Sequence, residues 1–174
     1  MSQQAPAHEW DKTFPKSDHV THEKVTFTTN FGITLAADLY KPRNAEGALP
    51  AIAVSGPFGA VKEQASGLYA QTMAERGFLT IAFDPSFTGE SGGAPRYMSS
   101  PDINTEDFLS AVDYLVCRED VDGDRVGIIG ICGWGGIALN AAAADPRIKA
   151  TLASTMYDLC RISGNGYNDS ADDA

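Results

Sequence analysis

Histidine is scarce in this chain of 174 residues: there are three, and none follows His22. Imidazole chemistry therefore falls to His8, His19 or His22, all near the amino terminus. His19 and His22 lie three apart, a spacing that can put two ligands on one helix face. No helical apolar pattern surrounds them and no cysteine or carboxylate cluster completes a ligand set, so neither a metal site nor a bound cofactor is expected. Cysteine is also sparse. Cys117, Cys132 and Cys160 are an odd number at wide spacing, which excludes a disulfide framework and points to a reducing, cytoplasmic setting. Basic residues are in deficit, 13 Lys and Arg against 23 Asp and Glu, for a formal net charge of −10. With no cationic excess to neutralise phosphates, nucleic acid is not an expected partner, and the acidity is read as a contribution to solubility. No apolar run is long enough to span a bilayer. The polar stretch Met1 to Asp18 lacks the apolar core of a signal peptide, so no membrane partner is expected either.

What is present is an ordinary globular interior, with 43% apolar residues in a chain of single-domain length. Residues 1–22 read as a polar surface arm, 23–160 as the core and 161–174 as a polar tail. Lys24 to Thr29 and Ile33 to Tyr40 alternate apolar and polar residues around the turn Asn30-Phe31-Gly32, the pattern of a hairpin. From Ala51 onward, short buried strands alternate with helical stretches. The strands are Ala51–Ser55, Phe78–Phe83, Val126–Ile131 and Ile148–Thr155; the helices are Ser66–Arg76, Asn104–Cys117 and Trp134–Ala144. Such alternation implies a mostly parallel sheet covered on both faces: an α/β fold, a three-layer α/β/α sandwich of about six strands. Cys117 and Cys160 are placed in packed surroundings.

One stretch organises the chain. Val126 to Ile131 is a β-branched apolar run, Ile137 to Ala144 is alanine-rich, and between them glycines flank Cys132. A strand that turns at once into a helix needs residues without a Cβ. The apex residue projects from the carboxyl edge of the sheet at a helix N-terminus, where unpaired N–H groups favour negative charge. This arrangement resembles the nucleophile elbow of the α/β-hydrolases, with Cys132 in the nucleophile position as in the dienelactone hydrolase branch. Gly130 matches the small residue two before the nucleophile. Trp134 stands where a small residue is usual two after it, with Gly135 and Gly136 displaced by one.

The resemblance implies a hydrolase of ester, thioester or lactone bonds acting on a small acyl substrate. It also implies an oxyanion hole formed by the N–H of Gly133 and an N–H from the loop after strand Ala51–Ser55. Pro57 has no N–H, which leaves Phe58 as the donor. Glu63 is displaced from the place of the family's glutamate and takes no role. Gly89-Glu90-Ser91-Gly92-Gly93 satisfies a serine-elbow pattern formally, but no strand runs into it and no helix leaves it, so Ser91 is read as a turn residue. Asp158, after the last strand, is the available triad acid. The family's order is nucleophile, acid, histidine, and no histidine follows Cys132. The sheet is therefore expected to lack its C-terminal strands. A base would come from a complementary C-terminal segment, another chain in a homo-oligomer, or His19 or His22. The alternative is a non-catalytic hydrolase core that serves as a fragment, binding or assembly module.

Overall fold

The computed structural model describes residues 10–171. His8, the beginning of the arm and the last three residues of the tail lie outside the described residues. Six strands form one sheet: β1 (Val20–Thr28), β2 (Thr34–Pro42), β3 (Leu49–Ser55), β4 (Leu79–Phe83), β5 (Val121–Ile131) and β6 (Ile148–Ser154). Their spatial order is β1-β2-β4-β3-β5-β6. β1 and β2 form an antiparallel hairpin, β2 meets β4 antiparallel, and β4, β3, β5 and β6 run parallel. The helices are α1 (Ala65–Ala74), α2 (Pro101–Val116), α3 (Gly133–Ala144) and α4 (Leu159–Asn165). The expected mostly parallel, layered α/β sheet is present.

The strand period of two divides the core between the two faces. Ala51, Ala53, Leu79, Ile81, Val126 and Ile128 face α2 and α3, joining Phe108, Val112, Leu115 and Ile137. Ile52, Val54, Ala82, Ile129 and Ile131 face the other way, toward Ala70 and Ala74 of α1. β3 and β4 are covered on both sides, which explains their largely apolar sequence; the one polar residue inside β4, Thr80, donates its hydroxyl to Ala70 O at 2.8 Å. α2 starts earlier than the expected Asn104, because Pro101 occupies its first turn, where a missing N–H costs nothing.

The amino-terminal stretch departs from the expected surface arm. Within the arm, Lys12, Phe14 and Val20 are buried, and Phe14 joins the α1-side core. Trp10 stacks edge-on against Phe14, and the Ser17 N–H donates to Gln71 of α1. α4 runs from Leu159 into the tail, and no residue of that helix is buried. Among the described residues no helix is long and apolar enough to cross a membrane.

Candidate active site

β5 ends at Ile131, α3 begins at Gly133, and Cys132 alone makes the turn. Its backbone holds φ 60° and ψ −125°, a combination that side chains avoid because the Cβ crowds the main chain. Two hydrogen bonds hold it there: the Cys132 N–H donates to Ser154 O at the end of β6 (2.8 Å), and the Gly135 N–H donates to Cys132 O (3.0 Å). The half-buried thiol thus stands at the mouth of a helix on the carboxyl edge of the sheet, as the sequence pattern predicts.

The close approach of helix to strand explains the flanking residues. A Cβ at Gly130 would lie 2.1 Å from Trp134 O and 2.7 Å from the Ala138 Cβ, so nothing larger than glycine fits. Trp134 is tolerated in a small-residue position because the room is made opposite it. A Cβ on Gly56 would come within 2.9 Å of the Trp134 Cβ and 2.3 Å of Ile131 O. The loop after β3 therefore lies directly on the elbow. Phe58, in the turn closed by the Ala60 N–H to Pro57 O, brings its ring centroid to 5.9 Å from the buried Trp134 indole. The N–H groups of Phe58 and Gly133 have no protein acceptor among the described residues, the condition for donating to a ligand.

Tyr157 was not singled out from the sequence, although its place just past β6 on the edge shared with Cys132 was legible there. Its hydroxyl packs against the first turn of α3 at Gly133 and lies beside the Cys132 sulfur. Burial first, then hydrogen bonding to and charge on the neighbouring thiol, push the Tyr157 hydroxyl above its ordinary value, so it keeps its proton and can donate it in a hydrogen bond. Asp158 is exposed and caps α4, accepting from the Arg161 N–H at 3.0 Å. It also lines a pocket of about 370 Å³ with Gly133, Asn140 and Met156.

The other sequence candidates separate from the elbow. The Ser91 hydroxyl is buried, donates to Asp84 O (2.7 Å) and accepts from the Ala36 N–H (2.8 Å), so both its functions are structural. His22 cannot serve Cys132. It sits on β1, four strand spacings or about 19 Å from β5. Its Nε2 is bound to Asp38 at 2.8 Å, and its ring packs between Trp10 and Tyr40. His19 immediately precedes the same strand and is exposed. Cys117 and Cys160 are exposed rather than packed, because Cys117 follows the last turn of α2 and Cys160 lies on the solvent side of α4. Glu63 is held by Lys62 Nζ at 2.6 Å.

Known proteins share the sequence and fold of this chain. An uncharacterised protein of Pseudomonas aeruginosa is 67% identical over 163 residues, which is 93% of this chain and 44% of that protein. Its crystal structure superposes with a TM-score of 0.93 at 64% identity, covering 99% of this chain and 54% of the other. A thiohydrolase of Aspergillus aculeatus is 31% identical over 137 residues, 79% of this chain and 42% of that enzyme. The crystal structure of an α/β-hydrolase from a Penicillium species matches with a TM-score of 0.71 at 29% identity, over 75% of this chain and 44% of that one. The chain thus spans about half the length of the curated relatives it matches. The family model for X-Pro dipeptidyl-peptidase (S15 family) matches residues 32–168, a span that includes both the loop carrying Phe58 and the elbow carrying Cys132. The chain belongs to that family, within the α/β-hydrolases.

Proposed function

We propose that Cys132 is the nucleophile of a hydrolase acting on thioesters or activated carboxylic esters of small acyl groups. The observation that carries this reading is the strained backbone of Cys132, which presents a half-buried thiol at the junction of β5 and α3. The hydrolase relatives support the reaction class, and the thiohydrolase among them supports a thioester. In the acylation step the Cys132 sulfur attacks the carbonyl carbon and a C–S bond forms. The carbonyl oxygen takes up negative charge between the N–H groups of Phe58 and Gly133, with the Tyr157 hydroxyl beside the sulfur. The tetrahedral adduct collapses, the bond to the leaving group breaks, and the leaving thiolate or alkoxide departs with the electron pair. The thiol proton passes to solvent or to the leaving group.

Hydrolysis of the acyl-enzyme requires a base to deprotonate water. Neither His19 nor His22 reaches Cys132, and in this reading the base is assigned to a complementary segment or a second chain. Loss of a triad base lowers turnover by several orders of magnitude while binding and oxyanion stabilisation persist. The 174-residue chain offered p-nitrophenyl acetate should therefore release about one equivalent of nitrophenolate and carry one acetyl group on Cys132 by peptide mass spectrometry. Cys132→Ala should remove both signals. Nitrophenolate release that continues unchanged in Cys132→Ala would falsify the assignment.

A further inference from the structure

The loop that carries Phe58 is fastened at both ends. At its start Gly56 lies on the elbow. At its end stands Lys62, a lysine whose side chain is fully buried. Its Nζ contacts Asp84 at 3.1 Å, Glu63 at 2.6 Å and Glu90 at 2.7 Å. Its backbone N–H donates to the other oxygen of Asp84 at 2.7 Å, and the Glu90 N–H donates to Asp84 at 2.9 Å. A second cation braces the same group from outside: Lys24 of β1 lies 4.0 Å from Glu63 and 3.4 Å from Glu90. The Glu63 carbonyl accepts from the Thr13 N–H at 3.0 Å, which ties the loop to the amino-terminal stretch.

This is far more restraint than a surface loop needs. Burying an ammonium is costly unless it is fully paired, and removing one partner leaves the other charges buried and uncompensated. Burial opposes the charge on Lys62, and the bonds to Glu63, Glu90 and Asp84 outweigh it. The cluster contributes no atom to the thiol. What it holds is the segment between Gly56 and Gln64, in which Phe58 occupies an exposed turn between the two anchors. We propose that Lys62, clamped by Asp84, Glu63 and Glu90, is a positioning residue that holds the Phe58 N–H where the oxyanion develops. The inference rests on the proposed role of Cys132. Oxyanion donors act only when fixed in advance, and a displacement of an ångström costs on the order of a hundredfold in rate.

Two reagents separate positioning from simple folding. Acetylation by p-nitrophenyl acetate passes through an oxyanion: a C–S bond forms, the ester C–O bond breaks, and nitrophenolate leaves. Alkylation by iodoacetamide forms a C–S bond at a saturated carbon, expels iodide and develops no oxyanion. Both rates are measured at Cys132 in the full 174-residue chain by mass spectrometry, with folding checked by circular dichroism. Lys62→Met is expected to slow acetylation by about tenfold to a hundredfold while alkylation stays within about twofold. Glu90→Gln, which removes a half-exposed partner, is expected to slow acetylation by about threefold with alkylation unchanged. If Lys62→Met does not fold, Glu90→Gln and Glu63→Gln decide by the same ratio. Equal loss of both rates, or no loss of acetylation, overturns the positioning role. If the unaltered chain forms no acetyl adduct at Cys132, the nucleophile assignment fails and this inference fails with it.

Discussion

Cys132 adopts a backbone conformation that costs about 1–3 kcal/mol for a residue with a side chain, and it persists because the flanking contacts leave no alternative. Ser91 illustrates the opposite use of a nucleophilic side chain. Its hydroxyl satisfies one half-buried N–H, from Ala36, and one carbonyl, that of Asp84, bringing the loop after β4 onto β2. Ser91→Ala leaves both groups without a partner, at a cost of about 1–3 kcal/mol. A clear fall in the urea midpoint is expected, while the acetyl adduct on Cys132 still forms. An adduct that disappears in a folded Ser91→Ala protein would reassign the chemistry to Ser91.

At the scale of elements, the sheet is unevenly covered. α2 and α3 sit on one face, whereas among the described residues α1 is the helix on the other. Beside α1 an open groove of about 900 Å³ runs over β5 and β6, lined by Ile52, Leu68, Tyr69, Ile129 and Leu152. β6 ends the strand order, and Leu152 on it is 49% exposed. An unpaired strand edge beside bare apolar surface invites another strand. The 174-residue chain is expected to self-associate with rising concentration, as measured by light scattering, unless a complementary segment occupies the edge. Leu152→Lys should weaken that association by about tenfold, since covering a half-exposed leucine contributes on the order of 1–1.5 kcal/mol. A monomer at every concentration tested would show that β6 is already protected.

Across the whole molecule, the ionic network sets the response to pH. Hydrogen bonds from Lys62 hold Glu90 below its ordinary value. Burial pushes Asp38 up, but the bonds from His22 and Lys12 outweigh it, and Lys12 and Lys24 act likewise on Asp11. A carboxylate depressed in the folded state stabilises above its unfolded value and loses that contribution as pH falls through the folded value. Asp84 and Asp107 are raised by burial and act in the opposite sense, so they offset part of the slope. Lys62 is raised, so its contribution is present below its unfolded value and is lost as pH rises through the folded one. Because the depressed carboxylates, Asp120 and Asp145 among them, outnumber the raised ones, stability should fall below about pH 4. It should fall again above about pH 10.5. Urea midpoints measured across this range check the prediction; a midpoint at about pH 3 equal to that at about pH 7 would contradict it.

The strand and helix alternation and the elbow were legible in the sequence because each depends on neighbours within a few residues, and the absence of a flanking strand and helix was enough to set Ser91 aside, although its partner Ala36 was not legible. The apolar period of β3 to β5 reports burial on both faces, and the glycines around Cys132 report a turn too tight for a Cβ. The burial of Lys12 and the isolation of His22 from Cys132 were not legible. A polar stretch such as Trp10 to Val20 reads as surface until β2 supplies Asp38, whose carboxylate faces Lys12 Nζ at 2.8 Å and His22 at 2.8 Å. The partners of Lys62 likewise come from separate loops, and Tyr157 reaches the thiol from the end of another strand. Local periodicity determined which segments are strands and helices and that the turn between β5 and α3 falls at Cys132. Only the order of the strands decided which distant charges meet, because that order, and not sequence separation, sets the distances over which charges and hydrogen bonds act.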